Sequence, residues 1–404
     1  MHNGEMLMRM VTVSLTVICI GRLTEDNGEK ILDMNKTFYS EFYSESWHFQ
    51  EWFKLNGIKC ENIKKWMEQS VVKALDTATT ESAVFFLKPQ TMLRLLEELA
   101  KEGNAKIFLK NKTLICGGGW WDSRQPYQND LLYFLELHYN DFAKVSKTYK
   151  DIGYKIIFLA DGIPSSRLKA LDIFDFVEFH FEFLFYANPY LYELLKRNGN
   201  KDFLYLFMEK QHRSHRDIVY ELLIERKLNN NSICLKNKRN NMKFADLINS
   251  YGNGIYELEH RWYDRFPSID YYNQTNFEIV GETFGDIGND SFFPTEKIIK
   301  PIIMKHPFVV AGSRQYLKHL REMGFKTFDG VISEEYDLID NYHERMERVV
   351  ETVNEICTKG SERFYEHTRD ICEHNYNHLS NLQGQQKNIL WRNMKSLMEK
   401  INEN

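Results

Sequence analysis

The chain alternates between short apolar runs and segments in which apolar residues recur every three or four positions. Ala83–Leu87 and Phe203–Phe207 are continuous apolar runs, which are typical of strands buried on both faces of a parallel sheet. The segment that opens at Pro89 instead places Met92 and Leu96 on one helical face. Strands that alternate with helices predict an α/β protein built on parallel sheets.

Residues 277–330 show this alternation most clearly. They predict, in order, a strand at Phe277–Val280, a helix capped by Thr295, a strand at Phe308–Val310 and a helix from Gly312 to Met323. In parallel sheets, ligands bind at the carboxyl ends of the strands, and helix N-termini favour anions. The stretch therefore predicts half of a nucleotide pocket.

The first half of the chain carries weaker versions of the same patterns. Ile107–Leu109 and Thr113–Cys116 predict either a hairpin or two separate sheet strands, and Leu131–Lys147 predicts one long helix. Tyr154–Ala160 predicts the clearest strand of this half. From Tyr342 the pattern is helical almost to the end of the chain, with glycines as punctuation.

Length and composition indicate more than one domain. The 404 residues exceed what a single hydrophobic core usually serves, and a hydrophobic fraction of 43% is enough to fill two cores. A cluster of Asn and Gly at residues 198–200 marks a candidate boundary. We therefore predict two Rossmann-like domains at residues 1–200 and 201–340, followed by a helical extension at residues 341–404.

Charge and cysteine content limit the partners and the cellular compartment that the sequence predicts. The net charge of −5 and a pI near 6.3 give no general attraction to nucleic acid or to an anionic membrane. The six cysteines are scattered, without CxxC pairs or zinc-ligand spacing, so we expect reduced thiols in a cytoplasmic protein. Residues 10–20 are apolar but too few to span a bilayer, and both a strand and a targeting segment fit them. We expect no stable membrane insertion.

A basic loop follows the first strand of the second half. Arg213, His215 and Arg216 stand between that strand and the next predicted helix, where a Rossmann-like unit would hold a diphosphate. Guanidinium and imidazole groups donate to phosphate oxygens, which favours an anion site. A solvated basic loop is the structural alternative.

The first half offers candidates for an acceptor side. Three glycines at 117–119 precede Trp120, Trp121 and Asp122, so an aromatic ring can stack on a sugar or base beside a carboxylate. Asp161 follows the strand that ends at Ala160, a common place for a polar site residue. A tight loop packed by tryptophans and an ordinary turn explain the same residues equally well.

Several enzyme classes lack their motifs in this chain. The sequence has no P-loop, no GxSxG, no HExxH and no kinase motif set. It also has no Asp-x-Asp, the motif on which many single-domain glycosyltransferases hold a nucleotide sugar through a metal. We therefore predict no metal site and no cofactor.

The segment Glu282–Asp329 carries a family resemblance. Its TEKxxKPI core, followed by HPFVV and GFKTFDG, resembles a region of viral and bacterial proteins grouped with two-Rossmann-domain (GT-B) glycosyltransferases. It is also similar to the donor-binding Glu-Lys helix of the fucosyltransferase and exostosin-like branches. The piece Phe207–Arg216 resembles the N-R-x-R-x-H-R loop of the same proteins but departs from it at Glu209, Lys210 and Gln211. The match covers residues 201–339.

The resemblance implies a GT-B-like arrangement with the acceptor side in the first domain and the nucleotide-sugar site in the second. It implies that Glu296 accepts hydrogen bonds from the ribose of the donor, while Lys297 and Arg213 or Arg216 meet the diphosphate. From their positions in the basic loop and at the start of the predicted helix, His215, Thr295 and Lys300 are also predicted to belong to the donor site.

The chain is thus expected to be a metal-independent glycosyltransferase whose co-substrate is a nucleotide sugar. Its acceptor is a hydroxyl on a glycan or on a hydroxymethylated base in viral DNA. An inverting mechanism needs a base, for which Asp122 and Asp161 are the candidates, and a retaining mechanism does not. The abundance of Asn, Lys, Tyr and Phe suggests an AT-rich coding source such as a virus, which would place the protein in the host cytoplasm. The alternative is a non-catalytic nucleotide-binding or structural protein on a degenerate GT-B scaffold.

Overall fold

The chain divides into two compact units, one of residues 13–179 with 387–404 and one of residues 1–12 with 180–386. Each unit holds one fully parallel sheet, which confirms the α/β class and is compatible with two Rossmann-like domains. The computed structural model describes residues 37–40, 60–62, 71–72, 75, 83–117, 131–160, 162–178, 202–209, 213–236, 269–286 and 290–403.

The first unit is built on a sheet with the strand order β2-β1-β3-β4-β5-β6. Its strands are β1 (Thr37–Ser40), β2 (Cys60–Asn62), β3 (Ala83–Leu87), β4 (Lys112–Cys116), β5 (Ile156–Ala160) and β6 (Phe174–Glu178). The helices between these strands that the structure describes are α1 (Pro89–Glu102), α2 (Ala105–Phe108), α3 (Leu131–Leu137), α4 (Tyr139–Asp151) and α5 (Ser166–Ala170). Because β1 lies between β2 and β3, the strand order reverses at β1.

Helix α1 shows how the sequence sets the local structure of this unit. Pro89 stands at its first turn, where a missing N–H costs nothing, and Gly103 ends it in the left-handed region at φ 68°. Its apolar stripe is buried, and the Tyr149 hydroxyl of α4 donates to the Leu96 carbonyl at 2.7 Å. Helices α1 and α4 are thereby fixed to each other.

The second unit is built on a sheet with the strand order β10-β9-β7-β8. The elements that the structure describes here, up to the last strand, are β7 (Phe203–Glu209), α6 (Ser214–Glu225), β8 (Ile233–Lys236), α7 (Ile269–Gln274), β9 (Thr275–Gly281), α8 (Glu296–Ile303) and β10 (Phe308–Ala311). The chain steps from β7 to its neighbour β8 in one direction and from β9 to its neighbour β10 in the other. The connectivity of the sheet therefore reverses between β7 and β9.

Helices complete the chain after β10. They are α9 (Tyr316–Glu322), a 3-10 turn (Glu335–Leu338), α10 (Tyr342–Lys359), α11 (Ser361–His367), α12 (Arg369–Gly384) and α13 (Gln386–Glu403). This confirms the predicted helical end, with Gly360 at φ 101° between α10 and α11. Lys400 of α13 forms an ion pair with Asp175 of β6. Among the described residues, no helix combines the length and the apolar character needed to cross a bilayer.

Three predicted elements are wrong in detail. Ile107–Leu109 is not a strand, because α2 ends and turns there. The predicted helix Leu131–Lys147 is two helices that break at His138. The helix predicted from Gly312 begins only at Tyr316, because Gln315 takes a left-handed conformation at φ 63° that no α-helix continues through.

Candidate functional site

The candidate site lies at the carboxyl ends of β7 and β9, where the connectivity of the second sheet reverses. Loops that leave a parallel sheet in opposite directions open a crevice at such a point, and ligands of α/β proteins bind there. The loop after β7 leads to Arg213, which precedes α6 with extended backbone and is half-buried. The loop after β9 begins at Glu282 and leads to α8.

The Glu282 carboxylate is the centre of this edge. The side chain is buried, and one oxygen accepts from the Tyr316 hydroxyl at 2.8 Å and from the Thr295 amide at 3.3 Å. The other accepts from the Thr295 hydroxyl at 2.7 Å and from the Thr283 amide at 3.2 Å. Four donors offset the cost of burying the carboxylate and fix where α8 begins.

Two basic side chains of α6 contact the backbone carbonyl oxygen of Glu282. His215 Nε2 lies 2.9 Å from this oxygen, and Arg216 donates to it from Nη2 at 2.7 Å and from Nε at 3.1 Å. Both side chains are buried. The first turn of α6 thus holds the loop after β9 in place.

His215 also contacts Asp286 from its other ring nitrogen, Nδ1, at 3.3 Å. Burial lowers the pKa of the imidazole, and the Asp286 carboxylate opposes that shift. Burial acts to raise the pKa of Asp286, but hydrogen bonds from His215 and Ser214 outweigh it and hold that pKa below its usual range. The Asp286 carboxylate therefore binds two side chains of the first turn of α6, those of Ser214 and His215.

A carboxylate also lies at the start of the neighbouring helix α9, where it binds backbone amides. Asp337 is buried and accepts from the backbone amides of Leu317 at 2.9 Å and Lys318 at 3.2 Å. The protein itself thus supplies the anion that the positive end of this helix favours. At α8, by contrast, the cap is the Thr295 hydroxyl, which accepts from the Lys297 amide at 3.3 Å.

Glu296 and Lys297 form a half-exposed pair at the start of α8. Their charged atoms are 3.0 Å apart, and the side chains retain 31% and 26% of their exposure. The ammonium group also donates to the hydroxyls of Thr295 at 3.1 Å and Thr283 at 3.5 Å. A cation and a carboxylate are thereby presented together beside the buried Glu282.

Arg345 of α10 ties two loops of this edge together. Its guanidinium is buried and donates to the carbonyls of Gly285 at 2.8 Å and Gly312 at 3.0 Å, after β9 and β10 respectively. Burial lowers the pKa of Arg345 to about 10. The guanidinium still carries its charge at neutral pH, and its hydrogen bonds to backbone carbonyl groups stabilise that charge.

The structure brings together the two clusters that the sequence predicts in the second half. His215 and Arg216 reach Glu282 through its carbonyl, and Thr295 reaches it through its carboxylate. Lys300 lies one turn further along α8, where its charge acts on the buried carboxyl of Glu278.

Four predicted first-half residues lie outside the described residues: Trp120, Trp121, Asp122 and Asp161. Sequence reasoning missed Asp286, Tyr316 and the role of Glu282. A charged residue directly after the apolar run of β9 was the available signal for Glu282. The contacts of the other two residues depend on tertiary packing.

Neither the search for metal-binding groups nor the comparisons with known proteins add to the description of the site. Within the part of the chain that the structure describes, no group of three or more His, Cys, Asp and Glu side chains is placed to hold a metal ion. No protein-family model, curated protein or solved structure matched the chain. The resemblance to GT-B glycosyltransferases therefore stays a prediction, carried by residues 201–339.

Proposed function

We propose that the chain is a metal-independent glycosyltransferase that binds its nucleotide-sugar donor at the carboxyl ends of β7 and β9. One observation carries the proposal: Glu296 and Lys297 are held half-exposed on the first turn of α8, at the point where the sheet connectivity reverses. A cation, a carboxylate and a helix N-terminus at such a point suit a ligand that has both phosphates and hydroxyls.

Each group has a role in glycosyl transfer. The leaving nucleoside diphosphate gains negative charge in the transition state, and fixed cations stabilise that charge. Lys297 serves this purpose, with Arg213 on the opposite loop as the second cation. Glu296 accepts hydrogen bonds from the ribose hydroxyls, which orients the donor.

His215 and Arg216 have a supporting role in this proposal. Both are buried against the Glu282 carbonyl, so they fix the loop that precedes α8. The acceptor is a hydroxyl of a glycan or of a hydroxymethylated base in DNA. Asp122 and Asp161 are the candidate bases for its proton if the reaction inverts.

Thermal unfolding with added nucleotides tests donor binding. A ligand that binds only the folded state stabilises it by about 2.7 kcal/mol at one hundred times its Kd, so one of UDP, GDP and CMP should raise the Tm measurably. Glu296→Ala should abolish that rise. Glu373→Ala is the matched control, because Glu373 is also paired with a lysine, Lys305, but lies away from the first turn of α8.

The same panel separates the proposal from the non-catalytic alternative. A structural protein on a degenerate scaffold predicts no Tm change with any nucleotide. A nucleotide-binding protein without transferase activity predicts the Tm change but no product. Incubation with nucleotide sugars and hydroxymethylcytosine DNA or glycan acceptors, followed by mass measurement, distinguishes the last two cases, since transfer adds one sugar mass.

A further inference from the structure

We propose that Glu282 is a positioning residue, whose buried carboxylate acts through the Thr295 hydroxyl to hold the Lys297 ammonium group at the candidate site. The inference rests on the proposed function, because Lys297 is the group that would meet the donor diphosphate. Glu282 is itself buried beneath this edge and would not touch the donor. Its effect on the donor would be indirect.

The hydrogen bonds run in one direction from the ammonium to the carboxylate. A hydroxyl has one proton to donate and two lone pairs that accept. The Thr295 proton points to Glu282 Oε2 at 2.7 Å, because an ionised carboxylate only accepts. The lone pairs of Thr295 therefore face the Lys297 amide at 3.3 Å and the Lys297 ammonium at 3.1 Å.

The Glu282 carboxylate, at the end of this series of hydrogen bonds, is itself rigidly held. Tyr316 donates to Oε1 at 2.8 Å from a ring that is buried at the start of α9. The amides of Thr283 and Thr295 bind the two oxygens from the loop before α8. Glu282 therefore transmits a fixed position, and a negative charge, to the hydroxyl that orients Lys297.

Asp337 provides a matched control for the loss of a buried carboxylate at Glu282. It is a buried carboxylate at the start of the next helix, and it accepts backbone amides of α9 directly. Asp337→Asn should therefore disturb stability in the way that Glu282→Gln does. It should leave the surroundings of Lys297 unchanged.

The experiment compares Glu282→Gln and Asp337→Asn in the full chain with two readouts. One is the Kd for UDP, GDP and CMP, measured by calorimetry. The other is the rate at which acetic anhydride labels Lys297, measured by mass spectrometry without nucleotide. In Glu282→Gln the new amide group donates to the Thr295 hydroxyl and occupies a Thr295 lone pair that accepts from the Lys297 ammonium in the wild type. The Kd should rise about tenfold, the size of one lost charge-assisted hydrogen bond, and labelling should be several times faster.

The results separate the inference from the function on which it rests. A Glu282→Gln protein with a lower Tm but unchanged Kd and labelling rate would overturn the positioning role. If that variant does not fold, Thr295→Val and Thr295→Ser replace it, and equal labelling of Lys297 in both would overturn the role. Absence of nucleotide binding by the wild type contradicts the proposed function, while the labelling difference still decides whether Glu282 holds Lys297.

Discussion

Two carboxyl groups four positions apart on and just after β9 have opposite surroundings. Glu282 accepts from four donors that anchor α8. Glu278 is buried in the strand and accepts from the Tyr272 hydroxyl at 2.7 Å. Burial raises the pKa of Glu278 to about 8, so this carboxyl is largely protonated at neutral pH. Two residues of the same type therefore have different roles: Glu282 anchors α8, and Glu278 is a protonated group within the core.

The raised pKa of Glu278 predicts a pH dependence of stability. As pH rises from the unfolded value of 4.5 towards the folded value of about 8, the unfolded chain loses this proton and the folded chain keeps it. The free energy of unfolding then falls by about 1.4 kcal/mol per pH unit from this group. Glu278→Gln removes the effect, so its Tm relative to wild type should increase between pH 5 and pH 8. A constant difference would contradict the burial of an ionisable group here, and exposed Glu373→Gln is the control.

Close packing at Gly285 predicts a large effect from a single methyl group. A Cβ at this position would lie 2.7 Å from Nδ1 of His215, whose ring is buried and held at both nitrogens. Gly285→Ala should therefore destabilise the protein by about 1–3 kcal/mol, as overpacking does. Gly117→Ala is the control, because among the described residues its Cβ would meet Leu159 at 3.5 Å, an ordinary van der Waals contact. Equal denaturant midpoints for the two variants would contradict the contact.

At the scale of elements, the sequence predicted what local patterns determine. The apolar runs of β3, β7 and β9 and the Thr295 cap of α8 are confirmed because periodicity and capping act within a few residues. The predicted start of α9 was wrong, because the local sequence does not indicate that Gln315 adopts a left-handed conformation. The anchoring of α8 by Glu282 was also not predictable, because the carboxylate precedes Thr295 by thirteen positions.

The turn before α9 predicts a stabilising substitution. Gln315 holds φ at 63°, a conformation that costs about 1 kcal/mol for a residue with a Cβ and little for glycine. Gln315→Gly should therefore raise the free energy of unfolding by about 0.5 kcal/mol after the greater entropy of the unfolded glycine is subtracted. Urea denaturation measures the change. Gln315→Ala keeps the Cβ and should give no gain, so an equal gain in both variants would argue against strain at this residue.

At the scale of the whole molecule, the helical end of the chain divides between the two units. Helix α12 belongs to the unit of residues 180–386, and α13 belongs almost entirely to the unit of residues 13–179. Both helices are long and mix charged with apolar residues, so periodicity alone predicted one continuous extension. What separates them is the compact unit to which each belongs, and that is a tertiary property.

The division predicts that two equivalent core truncations act on different sheets. Leu379 on α12 and Leu397 on α13 are both fully buried, and replacing a buried leucine by alanine costs about 2–5 kcal/mol. Leu397→Ala should accelerate amide hydrogen exchange in β3–β6, and Leu379→Ala should accelerate it in β7–β10, because the two helices belong to different units. Each variant is the control for the other. Acceleration of both sheets by either variant would show that the units unfold as one, and would contradict the assignment of α12 and α13 to separate cores.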